Sequence, residues 1–277
     1  MPVTVSVITD EVSPELGAGL RFAAEQGLST VDIRSIGGIN FLSFEQDRQQ
    51  AIACEIRDAG LKVGCFATPL LKWAAPGKPS GPAGDQFGFD AKGRSNAELY
   101  EAAFAAAGVL GTRNLRIFSL LTDDGFKLSD LEADFTALLK RAERHDMVLH
   151  VENEPVCNVR TVGHLVALMQ AWRHPRLRAL LDIGNAHAVG AKPAAAELTA
   201  VMPFVDQMHF KDYALAKQAY VAMGEGDIDY AAAMRVCFAG LGSRPLSLTI
   251  ETHVPGDQPG ATQRSLAAVR QLAAASA

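Results

Sequence analysis

Short β-rich runs alternate with longer Ala/Leu-rich runs from one end of the chain to the other. Eight of the short runs can be counted, at residues 4–10, 30–35, 62–68, 114–119, 147–153, 178–183, 205–211 and 245–252. A parallel sheet produces this alternation, because each strand needs a crossover, usually a helix, before the next can run in the same direction. Eight strands are enough to close the sheet into a (β/α)8 TIM barrel, and 277 residues lie near the ~250 typical of that fold. The pattern predicts one barrel domain over residues 1–277, with helices over 14–26 (after a Ser13 cap), 43–59, 96–108, 129–145, 162–172, 194–201, 230–239 and 262–275. An open dinucleotide-binding sheet is disfavoured by the turn after the first run, Thr9-Asp10-Glu11-Val12-Ser13-Pro14, which has no glycine.

Four runs end in a side chain able to bind a metal: Val148-Leu149-His150-Val151-Glu152, Ala179-Leu180-Leu181-Asp182, Val205-Asp206-Gln207-Met208-His209 and Leu246-Ser247-Leu248-Thr249-Ile250-Glu251, spaced by 30, 27 and 42 residues. Taken singly, each has a plain structural explanation, since a carboxylate at a strand end can meet solvent or a cation, and Asp182 can cap the helix after it. Taken together they point one way, because barrels keep their chemistry at the C-terminal ends of their strands. Three carboxylates and an imidazole suit one divalent ion: Mn2+, Mg2+, Co2+ or Zn2+. Such an ion leaves room for vicinal oxygens of a hydroxy-ketone and stabilises an enediolate, with Glu152 and Glu251 as metal ligands that also serve as acid and base. Returning the proton to the opposite face gives an epimer, and returning it to the neighbouring carbon an isomer. Loss of a β-hydroxyl gives dehydration, the lyase alternative, and a sugar-binding barrel without chemistry is a further one.

Substrate contacts are expected from Arg34 at the end of the second run, Lys72 after the third, Asn185 and His187 after Asp182, and Lys211 after His209. Lys211 is placed either to hold a substrate oxygen or a neighbouring carboxylate, or simply to pair with Asp212. Asp10 and Glu11 fit caps of the first helix. Residues 74–94, rich in Gly and Pro, form the one compositional break; on a barrel this loop lies over the C-terminal face, as a lid or as a loop without a role.

Hydrophobic residues make up 48% of the chain and charged ones 21%, enough for a sizeable core. A formal net charge of −5 and no long Lys/Arg run argue against nucleic acid as a partner. No apolar stretch approaches the ~18 residues of a membrane span, and Met1-Pro2-Val3 has no basic leader. Cys54, Cys65, Cys157 and Cys237 form no C-x-x-C pair and are expected to be free thiols in a reducing, cytoplasmic setting. The expected partner is a small sugar or polyol. Barrels of this type often pair through their outer helices, and nothing in the helical faces here decides it.

The segments Val151-Glu152-Asn153, Leu181-Asp182-Ile183-Gly184-Asn185, Met208-His209-Phe210-Lys211-Asp212 and Ile250-Glu251, with the run Gly224-Glu225-Gly226-Asp227-Ile228-Asp229, resemble those of the xylose isomerase-like TIM barrels over essentially the whole chain. The resemblance implies a metal-dependent sugar isomerase or epimerase, or one of the related inosose or dehydroshikimate dehydratases. The family also contains endonucleases of the endonuclease IV type, whose three zinc ions need additional histidines. At the matching places this chain has Ala67 and Thr68, Phe118 and Ser119, Asn185, and a strand-7 loop without histidine. DNA repair is therefore disfavoured. Ketose 3-epimerases carry a histidine where Asn185 stands.

Overall fold

The computed structural model describes residues 3–78 and 82–275. All eight apolar runs are parallel strands: β1 Val3–Val7, β2 Thr30–Ile33, β3 Lys62–Ala67, β4 Asn114–Ile117, β5 Val148–Glu152, β6 Leu177–Asp182, β7 Val205–Phe210 and β8 Leu246–Ile250. They read as continuous rather than alternating apolar runs because strands of a parallel barrel are covered on both faces. The hydrogen-bonded order is β1-β8-β7-β6-β5-β4-β3-β2. A parallel bridge between Ile8 and Asp32 joins the two ends, so the barrel is nearly closed.

Nine α-helices are seen among the described residues: α1 Leu16–Glu25, α2 Gln46–Asp58, α3 Asn96–Leu110, α4 Glu132–Arg144, α5 Val162–Ala171, α6 Ile183–Ala188, α7 Ala195–Val201, α8 Tyr230–Leu241 and α9 Gln258–Ala274. The best-defined start is that of α3, where the Ser95 hydroxyl accepts from the Glu98 amide and the Glu98 carboxylate accepts from the Ser95 amide. Four expected starts, those of α1, α2, α4 and α9, move by two to four residues. Ser13 does not cap α1; its hydroxyl accepts from the Glu15 amide in the turn before the helix, which begins at Leu16. The last helix starts at Gln258, four residues earlier than expected, because Pro259 is tolerated in a first turn whose amides need no partner within the helix. Helix α6 had no place among the expected helix ranges, although the reading of Asp182 as a cap implied a helix directly after it.

A polar network crosses the barrel interior one step below the strand ends. The Asp32 carboxylate accepts from the Cys65 amide (3.0 Å), the Gln207 side chain (2.8 Å) and the Thr249 hydroxyl (2.9 Å), and Thr249 is also bonded to Ser6 (2.8 Å). Burial raises the Asp32 pKa to about 6, only partly offset by His209 and these hydrogen bonds. Between the ordinary carboxylate range and pH 6 the folded protein thus holds a proton that the unfolded chain has released. The contribution of Asp32 to stability therefore falls as pH rises through that window, by about 3 kcal/mol. Urea unfolding of the wild type and of Asp32→Asn should show that difference opening between about pH 4 and pH 6 and staying constant above it. A difference independent of pH would refute the shift.

Candidate metal and substrate site

The four strand-end residues converge. Glu152 and Asp182 are the last residues of β5 and β6, His209 is the penultimate residue of β7, and Glu251 directly follows β8. One donor atom from each lies within 4.8 Å of all the others, and every one of the four side chains is buried. Strand register sets this up, since His209 pairs with Asp182 on one side and with Thr249, two residues before Glu251, on the other. The His209 Nδ1 atom lies 3.1 Å from Glu152 Oε1 and 3.1 Å from Glu251 Oε2. Burial disfavours a charged His209 ring, but Glu251 and Glu152 outweigh it and raise the pKa to about 10.

Cations neutralise the remaining oxygens. Lys211 Nζ is 2.8 Å from Asp182 Oδ2 and 2.6 Å from Glu251 Oε2, and Arg116 Nη1 sits 3.2 Å from Glu152 Oε2 and 3.3 Å from Glu251 Oε1. Burial would raise the Glu251 pKa, yet Lys211, His209 and His253 hold it well below the ordinary range. Glu152 is likewise lowered against its burial, chiefly by His209. Asp182 is raised, because burial there exceeds the help from Lys211. The buried oxygens Glu152 Oε2 and Asp182 Oδ2 have no hydrogen-bond partner, only these charge contacts.

Arg34 is enclosed by three carboxylates: Nε to Asp10 (3.0 Å), Nη2 to Glu11 (2.5 Å) and Nη1 to Glu251 (2.8 Å). Asp10 and Glu11 therefore do not cap α1. They lie in a 3-10 turn, Thr9–Glu11, and face Arg34, while His253 Nδ1 approaches Glu11 at 2.9 Å. Lys72 pairs with Glu154 at 3.2 Å.

Asn185 and His187 part company. Asp182 Oδ1 accepts from the Asn185 amide at 2.7 Å and so caps α6. Positions 185 and 187 are two residues apart on that helix, about 200° around its axis, and face opposite ways. The Asn185 side chain donates toward Glu152, Glu154 and the Asn153 carbonyl, and accepts from Tyr220 at 2.9 Å. The His187 ring instead bonds the Ile183 carbonyl and faces a separate small cavity with Lys192 and Pro193. It does not reach the cluster, so the expected substrate contact is corrected.

A cavity of about 620 Å³ opens above Glu251 and is lined by Arg34, Lys72, Arg116, Asn185, Tyr220 and His253, among others. The 74–94 loop reaches over it, apart from residues 79–81, which lie outside the described residues. Phe87 covers the Arg34 guanidinium at 3.5 Å and stacks on His253 at 5.8 Å. Gly88 permits this docking: its φ is +68°, and a Cβ there would come within 1.8 Å of the Gly38 carbonyl. On the opposite side the Gly224–Asp229 run folds around Asp212, whose carboxylate accepts from the amides of Tyr213, Gly224, Gly226 and Ile228. A Cβ at Gly226 would meet Asp212 Oδ1 at 2.2 Å. Asp212 thus organises this loop and is not a partner of Lys211.

Sequence reasoning missed Arg116, Glu154, Tyr220 and the pairing of Arg34 with Glu11. Arg116 had one local signal, a charge inside the apolar run Leu115-Arg116-Ile117-Phe118. No helix among the described residues is long and apolar enough to cross a membrane. The cysteines are free, Cys54 exposed and the other three buried.

Among solved structures, the chain is similar to a zinc-bound IOLI protein (16% identity, TM-score 0.76, covering 99% of each chain) and to an L-ribulose 3-epimerase (13%, TM-score 0.73, covering 100% of this chain and 96% of that one). It is also similar to the probable 3-DHS dehydratase AsbF of Bacillus anthracis (15%, TM-score 0.71, covering 96% of this chain and 98% of that one). No curated protein matches. At these identities the structures speak for the fold alone. The family model for xylose isomerase-like TIM barrels matches residues 20–272, and with the nearly closed eight-stranded barrel in place the chain belongs to that family.

Proposed function

We propose that the protein is a divalent-metal-dependent isomerase or epimerase of a keto-sugar or related hydroxy-carbonyl compound. The observation that carries this reading is the buried convergence of Glu152, Asp182, His209 and Glu251, of which Glu251 lines the cavity. The donor set fits a metal on chemical grounds. Two of its buried oxygens lack hydrogen bonds, and the proton that His209 shares between two glutamates occupies a place a cation can take. Three oxygen ligands and one nitrogen suit Mn2+, Mg2+, Co2+ or Zn2+. When bound, the ion polarises the substrate carbonyl as a Lewis acid.

The chain's own residues supply the rest. Glu251 lines the cavity and is the carboxylate placed to take a proton from the carbon beside the carbonyl. Glu152 is its counterpart from β5 for returning the proton. Lys211 and Arg116 keep both carboxylates ionised, and Asn185 and Tyr220 offer hydrogen bonds to sugar hydroxyls at the wall. Phe87 and its loop limit the access of water.

Metal analysis of the purified protein by mass spectrometry, with a solvent-deuterium exchange screen over keto-sugars, inososes and hydroxypyruvate, tests this. About one divalent ion per chain, and deuterium entering one substrate class with no change beyond the isotope in product mass, is the expected result. A product lighter by one water identifies a dehydratase. No ion and no exchange after adding each of the four metals overturns the reading in favour of a binding protein.

A further inference from the structure

We infer that the substrate is uncharged, neither phosphorylated nor a carboxylic acid; the inference rests on the metal-dependent reading above. It follows from the charges built around the cavity. The donor set contributes three carboxylates, Glu152, Asp182 and Glu251, and Asp10, Glu11, Asp85 and Glu154 add four more at the walls and mouth. Facing these seven are four permanent cations, Arg34, Lys72, Arg116 and Lys211, and His253 makes a fifth when protonated. With His209 neutral, as a metal ligand must be, the deficit is two or three charges. One divalent ion brings the loaded site to neutrality or to a single negative charge, with no surplus positive charge for an anion.

The pairing is as complete as the count. Among the described residues every one of these cations already has a carboxylate partner: Arg34 three, Arg116 and Lys211 two each, and Lys72 one, Glu154, at 3.2 Å. A phosphate or carboxylate entering the cavity must break one of these pairs and leave a buried acid unmatched, which outweighs the contact it gains. The Asn185 amide and the Tyr220 hydroxyl at the wall are neutral; they bond each other, and their oxygens keep lone pairs that can accept from a ligand hydroxyl. Lys72 is the cation closest to release, because Glu154 alone holds it and Glu154 is outside the donor set.

The test uses the Mg2+-loaded protein and calorimetry. The matched probes are L-ribulose with L-ribulose 5-phosphate, D-fructose with D-fructose 6-phosphate, and inorganic phosphate alone. In any pair that binds, the neutral ketose should bind at least about tenfold more tightly than its phosphate ester, and the wild type should show no saturable phosphate binding. Glu154→Gln, which releases Lys72, should bind inorganic phosphate at least about tenfold more tightly than the wild type, with unchanged metal content. That gain supports the inference even if neither ketose is a ligand. A phosphorylated ketose bound as tightly as its parent, saturable phosphate binding by the wild type, or no gain in the variant would each overturn it. Deuterium exchange into a phosphorylated ketose would leave the metal-dependent reading standing and remove this one. Loss of both metal binding and all exchange would instead remove the reading on which it rests.

Discussion

Replacing Glu251 by alanine is expected to abolish divalent-ion binding and to lower turnover by roughly four orders of magnitude, the combined loss of a metal ligand and a proton-transfer group. No other side chain in the site has as many charged neighbours. Arg34 and Arg116 approach its Oε1, Lys211 and His209 its Oε2, and His253 lies 3.6 Å from Oε2. Removing the carboxylate leaves these cations facing one another in a buried space. Unfolding stability should therefore also drop, by about 3–5 kcal/mol. Glu251→Gln keeps the shape and part of the hydrogen bonding, so it should recover most of the stability but not the metal or the turnover. Metal analysis, urea unfolding with and without added ion, and the exchange assay separate these effects. In the wild type the ion should raise the unfolding midpoint, and in either variant it should not. An alanine variant that retains the ion would exclude Glu251 as a ligand.

The barrel strands and the four converging residues were legible because both depend on local pattern. A strand plus its crossover sets a repeat of about thirty residues, and a charged residue ending an apolar run stands out against its neighbours. The two readings of Asp182 did not exclude one another: Oδ1 caps α6 while Oδ2 faces the cluster. What stayed hidden was the extent of α6, whose Ile-Gly-Asn-Ala-His sequence resembles a loop, and with it the opposite orientations of Asn185 and His187. The charge network was hidden for a different reason. Arg34 and Glu251 are 217 residues apart, and Arg116 and Glu251 are 135 apart. Such pairs exist only once the barrel closes, and no periodicity encodes them. The same distance hid the carboxylate partners of Arg34, which lines the cavity as a rim residue and is also held by three acids.

Those partners make Arg34 the second position of large expected effect. Its three nitrogens each meet a different acid, from the turn after β1 (Asp10 and Glu11) and from the end of β8 (Glu251), and Phe87 covers its plane. Burial works against its charge, and the three carboxylates more than restore it. The turn and the strand end belong to β1 and β8, which pair in the barrel, so Arg34, directly after β2, ties three strands together at the rim. Arg34→Ala takes one shared buried cation from Asp10, Glu11 and Glu251 at once and should cost about 3–5 kcal/mol in urea unfolding. Arg34→Lys should recover little of this, because a single ammonium cannot reproduce a planar fork serving three acceptors. If Arg34 acts through Glu251, combining Arg34→Ala with Glu251→Gln should cost less than the two changes added, by more than about 1 kcal/mol. Additive losses would mean that Arg34 stabilises the rim but does not position Glu251. A loss below about 1 kcal/mol in Arg34→Ala alone would show that solvent reaches the acids despite their burial.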